Sequence, residues 1–238
     1  MRTTIYRANE RGSADYGWLK ARYSFSFANY YNPQALNFGA LRVLNDDVIQ
    51  GGMGFGTHPH DNMEIITIPL AGALKHKDSM SNQWIPIKTG EVQVMSAGTG
   101  IQHSEMNNSA TEELSLFQIW IIPNRNNVEP KYEQKFYLKE DRLNKIQYLV
   151  SSIENPIENS LTIHQDAQIS RIDLTENSEF EYKLTSEEKG VFVMVIEGGI
   201  RIESKKLQKR DAIGIEQTSS FNLKALNNCQ LLFIEVPI

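Results

Sequence analysis

Two short histidine-containing segments carry the residue types that bind transition metals. His58-Pro59-His60 places two imidazoles at positions i and i+2, and His103-Ser104-Glu105 places an imidazole and a carboxylate at the same spacing. Alternate side chains of an extended strand share a face, so each segment presents two ligand groups on one side. If the two strands meet, three imidazoles and one carboxylate surround one point. This mixed nitrogen and oxygen set suits Fe(II), Cu(II), Ni(II), Mn(II) or Zn(II).

Glycines precede both histidine segments, which makes it a poor explanation that the two pairs arose by chance. They are Gly51, Gly52, Gly54 and Gly56 before the first pair, and Gly98 and Gly100 before the second. Glycine permits sharp turns and close approach of backbones. A second carboxylate, Glu64, competes with Glu105 as ligand. It is an even number of residues from His58 and His60, so in a regular strand its side chain would point to the same interior as theirs.

We expect ordinary structural roles for the remaining histidines, the tryptophans and the cysteine. His76 lies between two lysines and is expected on the solvated surface, and His164 is expected at a polar strand end without a metal. Cys229 is expected to be a small buried apolar residue. The tryptophans are expected in the core, and four apolar residues are candidates for lining a pocket: Phe25, Phe27, Met53 and Met106.

The elements that must position these residues are short strands. β-branched and aromatic runs alternate with Gly, Asn, Asp or Pro turns, and no stretch keeps a helical period. An all-β sandwich or barrel is therefore predicted. The candidate strands are Ala40–Leu44, Glu64–Pro69, Val92–Met95, Leu116–Ile122, Gln147–Val150, Val191–Ile196, Asp211–Ile215 and Leu231–Val236.

An internal repeat divides the chain into two similar halves. The segment Ile66–Leu74 is similar to Val193–Arg201, each being an apolar strand, a glycine turn and a returning strand. The segment Ile87–Met95 matches Leu207–Ile215 in pattern at a similar offset. Two copies of one β-domain are predicted, with a linker around Pro123–Pro130.

Composition excludes several classes of protein. The longest apolar run has six residues, Val191–Ile196, whereas a membrane-spanning helix needs about 20. The net charge is −5 and is evenly spread, so direct nucleic-acid binding has no electrostatic footprint. A single cysteine and no visible secretory signal predict a cytoplasmic protein without disulfides.

Several motifs resemble the cupin superfamily, and within it the pirin family. The spacing Gly52-x5-His58-x-His60-x3-Glu64 is similar to the first cupin motif, and Gly90 to Gly98 followed by His103-x3-Asn107 is similar to the second. Ser96 stands where proline is usual, and two extra residues precede His103; pirins share both departures. The segments that extend the match to pirins are Gly54–His60, Met95–Met106, Ser24–Tyr31, Leu41–Asp47 and Gln118–Ile121.

The resemblance implies a bicupin fold of two β-sandwich or jelly-roll barrel domains. These would be a metal-binding domain over residues 1–136 and a cupin-like domain without metal over residues 137–238. The ligands would be His58, His60, His103 and Glu105, with Glu64 orienting a histidine. One divalent ion is implied, with iron preferred over copper, nickel, manganese, cobalt and zinc.

The resemblance is strongest to bacterial pirin-like proteins with quercetin 2,3-dioxygenase activity. It implies a reaction of O2 with a flavonol or a related aromatic enol, in which Glu105 removes the hydroxyl proton, the central ring opens and carbon monoxide leaves. Two alternatives stay open. One is a metal-dependent regulatory module that binds a protein partner, and the other is a different metal-assisted reaction, since cupins host several.

Overall fold

A computed structural model describes residues 1–238 and contains almost exclusively β-strands. The single helix is a 3₁₀ turn at Lys139–Arg142, and no helix has the length and apolar character needed to cross a membrane. The strands are, in chain order, Arg2–Tyr6 (β1), Gly12–Asp15 (β2), Leu19–Tyr23 (β3), Leu41–Ile49 (β4), Gly54–His60 (β5), Glu64–Ala71 (β6), Ala73–Asp78 (β7), Ile85–Lys88 (β8), Glu91–Ser96 (β9), Ile101–Asn107 (β10), Leu114–Ile121 (β11), Lys131–Phe136 (β12), Gln147–Ser152 (β13), Leu161–Ile163 (β14), Gln168–Leu174 (β15), Glu179–Lys183 (β16), Lys189–Glu197 (β17), Gly199–Ile202 (β18), Lys205–Gln208 (β19), Ala212–Glu216 (β20), Ser220–Ala225 (β21) and Cys229–Pro237 (β22).

Each half of the chain is a sandwich of one seven-stranded and one four-stranded sheet. The first half contains the orders β12-β9-β6-β11-β4-β3-β2 and β5-β10-β7-β8. The second half contains β1-β20-β17-β22-β15-β13-β14 and β16-β21-β18-β19. Neighbouring strands are antiparallel except for β13 and β14. The predicted all-β bicupin architecture is confirmed.

The internal repeat is also confirmed, because the matched segments form equivalent connections, each of which joins a strand of one sheet to a strand of the other sheet of the same sandwich. The β6–β7 turn at Gly72 has φ +82°, and the corresponding β17–β18 turn at Gly198 has φ +78°. Only glycine adopts such values without steric cost. In the second matched pair, Gly90 stands between β8 and β9 with φ +93°, and Arg210 stands between β19 and β20 with φ +66°.

The two halves share a core, and one strand from the N-terminus joins the sheet of the second half. One cluster of 26 buried apolar residues includes Phe117 and Leu44 from the first half and Phe192 and Ile234 from the second. The N-terminal strand β1 pairs with β20 in the second half's sheet, with Ile5 opposite Ile213. An interface of this size and apolarity opposes relative motion of the halves. The predicted domain boundary between residues 136 and 137 stays a prediction. Strand β1 belongs to the first domain by its position in the sequence but pairs within the sheet of the second.

Candidate metal centre

The pairing of β5 with β10 brings the predicted histidines together. His103 lies opposite His58, and Ile101 lies opposite His60. The centroid of the His103 ring is 4.3 Å from that of His58 and 4.8 Å from that of His60, and the His58 and His60 centroids are 4.9 Å apart. Ligand atoms of the three rings lie within 4.8 Å of one another. The i and i+2 spacing thus becomes one cluster of three imidazoles.

Hydrogen bonds leave one nitrogen free on two of these rings. His58 Nδ1 donates to the Gly56 carbonyl oxygen at 2.8 Å, which leaves Nε2 as a lone-pair donor for an ion. His103 Nε2 is buried and has no hydrogen-bond partner. A buried polar atom without a partner is rare and calls for an explanation. A transition metal bound by the three rings would supply the missing partner, so the residues present fit such an ion.

Burial favours the neutral form of two of these imidazoles, His60 and His103. It lowers the pKa of His60 to about 4, with a further contribution from His58. Burial, reinforced by His58, His76 and His60, lowers the pKa of His103 to about 2. A histidine must be unprotonated to bind a metal. At neutral pH these two rings meet that condition before any ion arrives.

Glu105 is buried beside the cluster and held by two residues of the facing sheet. Gln118 Nε2 donates to Glu105 Oε2 at 2.8 Å, and Thr67 Oγ1 lies 3.5 Å from Glu105 Oε1. Burial raises the pKa of Glu105 to about 7, although both hydrogen bonds act to lower it. Ligand atoms of Glu105, His76 and His103 lie within 4.8 Å of one another. His103 therefore links the carboxylate to the histidine cluster.

The expectation that His76 lies on the solvated surface is wrong: its side chain is fully buried. Strand β7 alternates, so Leu74, His76 and Asp78 face inward while Lys75 and Lys77 face outward. The period-two pattern was visible in the sequence, but the flanking lysines suggested a solvated segment. An inward-facing histidine next to the cluster is the functional candidate that the sequence analysis missed.

His76 connects His103 to a carboxylate. His103 Nδ1 and His76 Nδ1 are 3.5 Å apart, and His76 Nε2 lies 2.9 Å from Asp78 Oδ2. Asp78 Oδ1 accepts hydrogen bonds from the backbone N–H groups of Met80 and Ser81. If His103 Nε2 faces an ion, its proton is on Nδ1 and is donated to His76, which donates its own proton to Asp78. The chain of three residues thereby sets the tautomer and orientation of His103.

Glu64 does not take the position that parity predicts. Its carboxylate accepts a hydrogen bond from Ser96 Oγ at 2.7 Å, and no imidazole is among its hydrogen-bond partners. The prediction required an unbroken strand from His58 to Glu64. Instead, β5 ends at His60, Asn62 adopts φ +45°, and β6 begins in the opposite sheet. The turn resets the alternation of side chains, so equal parity no longer means a common face.

A close approach at Gly54 permits the two histidine strands to pair. A Cβ at this position would overlap the carbonyl oxygen of Glu105, whereas a Cβ at Gly56 would meet open space. The register shifts just after Gly54, because four residues of β5, Phe55 to His58, lie opposite three residues of β10, His103 to Glu105. Such bulges occur next to active sites, where they redirect side chains.

We therefore expect Gly54→Ala to separate β5 from β10. Overpacking of this kind costs about 1–3 kcal/mol of stability, and it would move His58 away from His103. Thermal unfolding and metal stoichiometry of the purified protein measure both effects. Gly56→Ala is the matched control, and equal behaviour of the two variants would contradict the role given to Gly54.

A cavity of about 500 Å³ opens onto the cluster. Aromatic side chains form much of its wall, while Asn45, Asp47 and Gln118 add polar groups. The aromatic residues are Trp18, Tyr23, Phe27, Phe55 and Trp120. The prediction of core tryptophans is thus wrong: two line the cavity, and Trp84 is 42% exposed. Of the four pocket candidates only Phe27 lines it, whereas Phe25 is in the core and Met53 is 41% exposed.

The second half has no equivalent centre because aromatic rings occupy the place. Strands β16 and β21 stand where β5 and β10 stand in the first half. Tyr182 stacks on Phe221 at 5.5 Å and on Phe233 at 4.7 Å between ring centroids. The only histidine of this half, His164, is outside these strands. Cys229 is buried, as predicted.

Two equivalent sandwiches, one with a histidine cluster and one filled with apolar side chains, define a bicupin with a single candidate metal centre. The family description "Pirin" matches residues 5–121, and "Quercetinase C-terminal cupin domain" matches residues 149–236. The chain belongs to the pirin family.

Relatives match along nearly the whole length. A protein of Escherichia coli K12 named quercetin 2,3-dioxygenase is 42% identical over 233 residues, which is 98% of each chain. A pirin-like protein of Caulobacter vibrioides is 38% identical over 94% of this chain and 95% of its own. The crystal structure of the Escherichia coli pirin YhhW in complex with nickel(II) superposes with a TM-score of 0.92 at 39% identity, covering 99% of both chains.

Proposed function

We propose that this protein is a metal-dependent quercetin 2,3-dioxygenase, which uses O2 to open the central ring of a flavonol with release of carbon monoxide. One observation carries the proposal: a cluster of three histidines, two of which line a cavity of about 500 Å³ with aromatic walls, lies beside a buried carboxylate that lines the same cavity. Full-length relatives bear that enzyme's name. Such a cavity suits a flat aromatic substrate, which aromatic walls hold in one orientation.

His58, His60, His103 and Glu105 are the proposed ligands of one divalent transition ion. Iron is the ion we propose, and the nickel(II) bound by a solved relative shows that a pirin of this type accepts another. A bound ion would polarise the substrate hydroxyl and lower its pKa. Glu64 is not part of this proposal in its predicted role, because its carboxylate is bonded to Ser96.

Glu105 is the proposed base that removes the hydroxyl proton. Its Oε2 accepts a hydrogen bond of 2.8 Å from Gln118, whereas Oε1 accepts only a long one of 3.5 Å from Thr67, so Oε1 is the oxygen proposed to receive the proton. A pKa of about 7, raised by burial, suits a base that works near neutral pH. Trp18, Phe27 and Trp120 would hold the aromatic rings of the substrate and exclude water. The protein thus contributes orientation, deprotonation and a dry cavity.

His76 is proposed to hold His103 in position for the ion. Replacing His76 with phenylalanine keeps a ring but removes both nitrogens, so His103 loses its partner and Asp78 loses a donor. We expect metal affinity to fall about 10- to 100-fold, as is usual when an outer partner of a ligand is removed. Competition with a chelator measures the affinity, and the absorption spectrum of the Co(II) form reports the ligand geometry.

Tyr132→Phe is the control for His76, because Tyr132 packs against the His76 ring at 5.0 Å and its hydroxyl is bonded to Gln134 instead. It should leave both metal affinity and spectrum unchanged. A His76→Phe protein with wild-type affinity and spectrum would show that His76 has no positioning role.

The proposed function is tested by O2 uptake and loss of quercetin absorbance. The protein is loaded separately with Fe(II), Cu(II), Ni(II), Mn(II) and Co(II), and turnover is expected with at least one of them. Stoichiometric metal binding without O2 uptake for any ion would contradict the enzyme and favour a regulatory module. The cytoplasmic location and the absence of nucleic-acid partners stay predictions.

A further inference from the structure

A second cavity, of about 450 Å³, lies where the two halves meet. The first half contributes Pro69, Leu70, Thr89, Gly90 and Phe136, and the remaining wall comes from residues that follow β12. It shares no lining residue with the aromatic cavity. We call it the junction cleft. Four cationic side chains line it, namely Lys139, Arg142, Arg171 and Arg210, with a single carboxylate, Glu197.

The carboxylates around the junction cleft do not balance these cations. Arg142 Nε pairs with Asp173 Oδ1 at 3.0 Å. Arg210 Nε lies 3.4 Å from Asp46 Oδ2, an oxygen that Arg11 also approaches at 3.5 Å. Glu197 pairs with Lys209, which is outside the cleft. Lys139 and Arg171 have no ion pair, so the cleft carries excess positive charge in a protein whose net charge is −5.

Arg171 is the strongest sign of a missing partner. It is 8% exposed, and its only hydrogen bond runs from Nη2 to the neutral amide oxygen of Gln230 at 3.1 Å. Its Nε is buried without a partner, and Nη1 is neither bonded nor sealed from the cleft. Burial and the charges of Arg142 and Arg210 lower the pKa of Arg171 to about 10, although the negative charge of Asp173 acts in the opposite direction. Buried charges are ordinarily paired, because an unpaired one is costly.

We propose that the junction cleft binds a small dianion with phosphate or dicarboxylate oxygens, held by Arg171 and Arg142 and approached at the rim by Lys139. A guanidinium presents two parallel N–H groups that match the oxygens of a carboxylate or a phosphate. Arg142 uses only Nε for Asp173, so its terminal nitrogens are available. Lys139 precedes Arg142 by one 3₁₀ turn and is exposed. The bound anion would contact both the 3₁₀ turn and β15.

Isothermal titration calorimetry of the full chain tests the site, with inorganic phosphate and malonate as probes at matched ionic strength in chloride. We expect one site for at least one probe. Lys139→Ala and Arg171→Met should each weaken that binding about tenfold or more, because each removes a charge-assisted contact. Lys183→Ala, which removes an exposed lysine outside the cleft, should leave the affinity unchanged. The probe that binds more tightly identifies the chemical class.

Repeating the titration on His103→Ala tests whether the anion binds at the metal centre instead of the junction cleft. The junction cleft should bind the anion equally well in that variant, whatever the outcome of the dioxygenase assay. The proposal is overturned if neither probe binds, if binding disappears in His103→Ala, or if Lys139→Ala binds as tightly as the wild type. Lys139 is exposed, so its replacement tests the site even if Arg171→Met does not fold.

Discussion

Replacing His103 with alanine is expected to abolish stoichiometric metal binding and, with it, O2 uptake on quercetin. His103 belongs to both groups of residues whose ligand atoms lie within 4.8 Å of one another, His58–His60–His103 and His76–His103–Glu105. Its loss therefore breaks either arrangement. Removal of an outer partner already lowers metal affinity about 10- to 100-fold, and loss of a direct ligand should exceed that. Metal analysis after dialysis and an O2 electrode measure the two effects.

His164→Ala is the matched control, because it removes the only histidine of the second half. It should bind metal and turn over quercetin like the wild type. A third variant, His60→Ala, separates the two groups, since His60 occurs only in the first. We expect it to lose metal as His103→Ala does. Full metal occupancy in His103→Ala would refute the centre described above.

Replacing Glu105 with glutamine is expected to keep substantial metal and lose most turnover. Glutamine preserves the shape of the side chain, and the three imidazoles remain to bind the ion. The amide cannot accept the proton of the substrate hydroxyl, and loss of a general base costs about 10²- to 10⁴-fold in rate. Turnover number and metal content should be measured on the same preparation, so that a loss of rate is not mistaken for a loss of metal.

Glu64→Gln is the control for this variant. Glu64 is also a buried carboxylate of the same domain, but its oxygen is bonded to Ser96 rather than placed beside the histidines. Its replacement should affect stability more than rate. An unaffected turnover number in Glu105→Gln would remove Glu105 as the base, and loss of all metal would assign it a role as ligand alone.

Local spacing predicted the parts of the site that depend on a single strand. His58 and His60 share a face of β5, and His103 and Glu105 share a face of β10, because side chains alternate in any regular strand. The repeat was visible because an apolar strand, a glycine turn and a second strand occur in both halves, where each turn joins the two sheets of one sandwich. All eight predicted strands are present, with ends shifted by a few residues.

The placements predicted for Glu64 and His76 were wrong, in one case because the chain turns and in the other because neighbouring charged residues suggested a solvated segment. Glu64 follows the turn at Asn62 and belongs to a different sheet, so counting from His60 could not place it. His76 stands between two lysines that point outward, and its burial depends on the neighbouring strand β10. Both errors have the same origin. The alternation of side chains holds only within one strand, whereas the residues that a side chain meets depend on how the strands and sheets are arranged.

The sequence by itself determined the fold class, the two-domain repeat and the residue types of the centre, since these follow from short-range periodicity and side-chain chemistry. Only the tertiary structure decided which residues meet. It brought Gln118 and Thr67 to Glu105, placed Trp18 and Trp120 on the cavity wall, and left Arg171 without an anionic partner at the junction of the halves. These contacts join residues from distant strands, and their geometry depends on how the sheets pack, which no local pattern specifies.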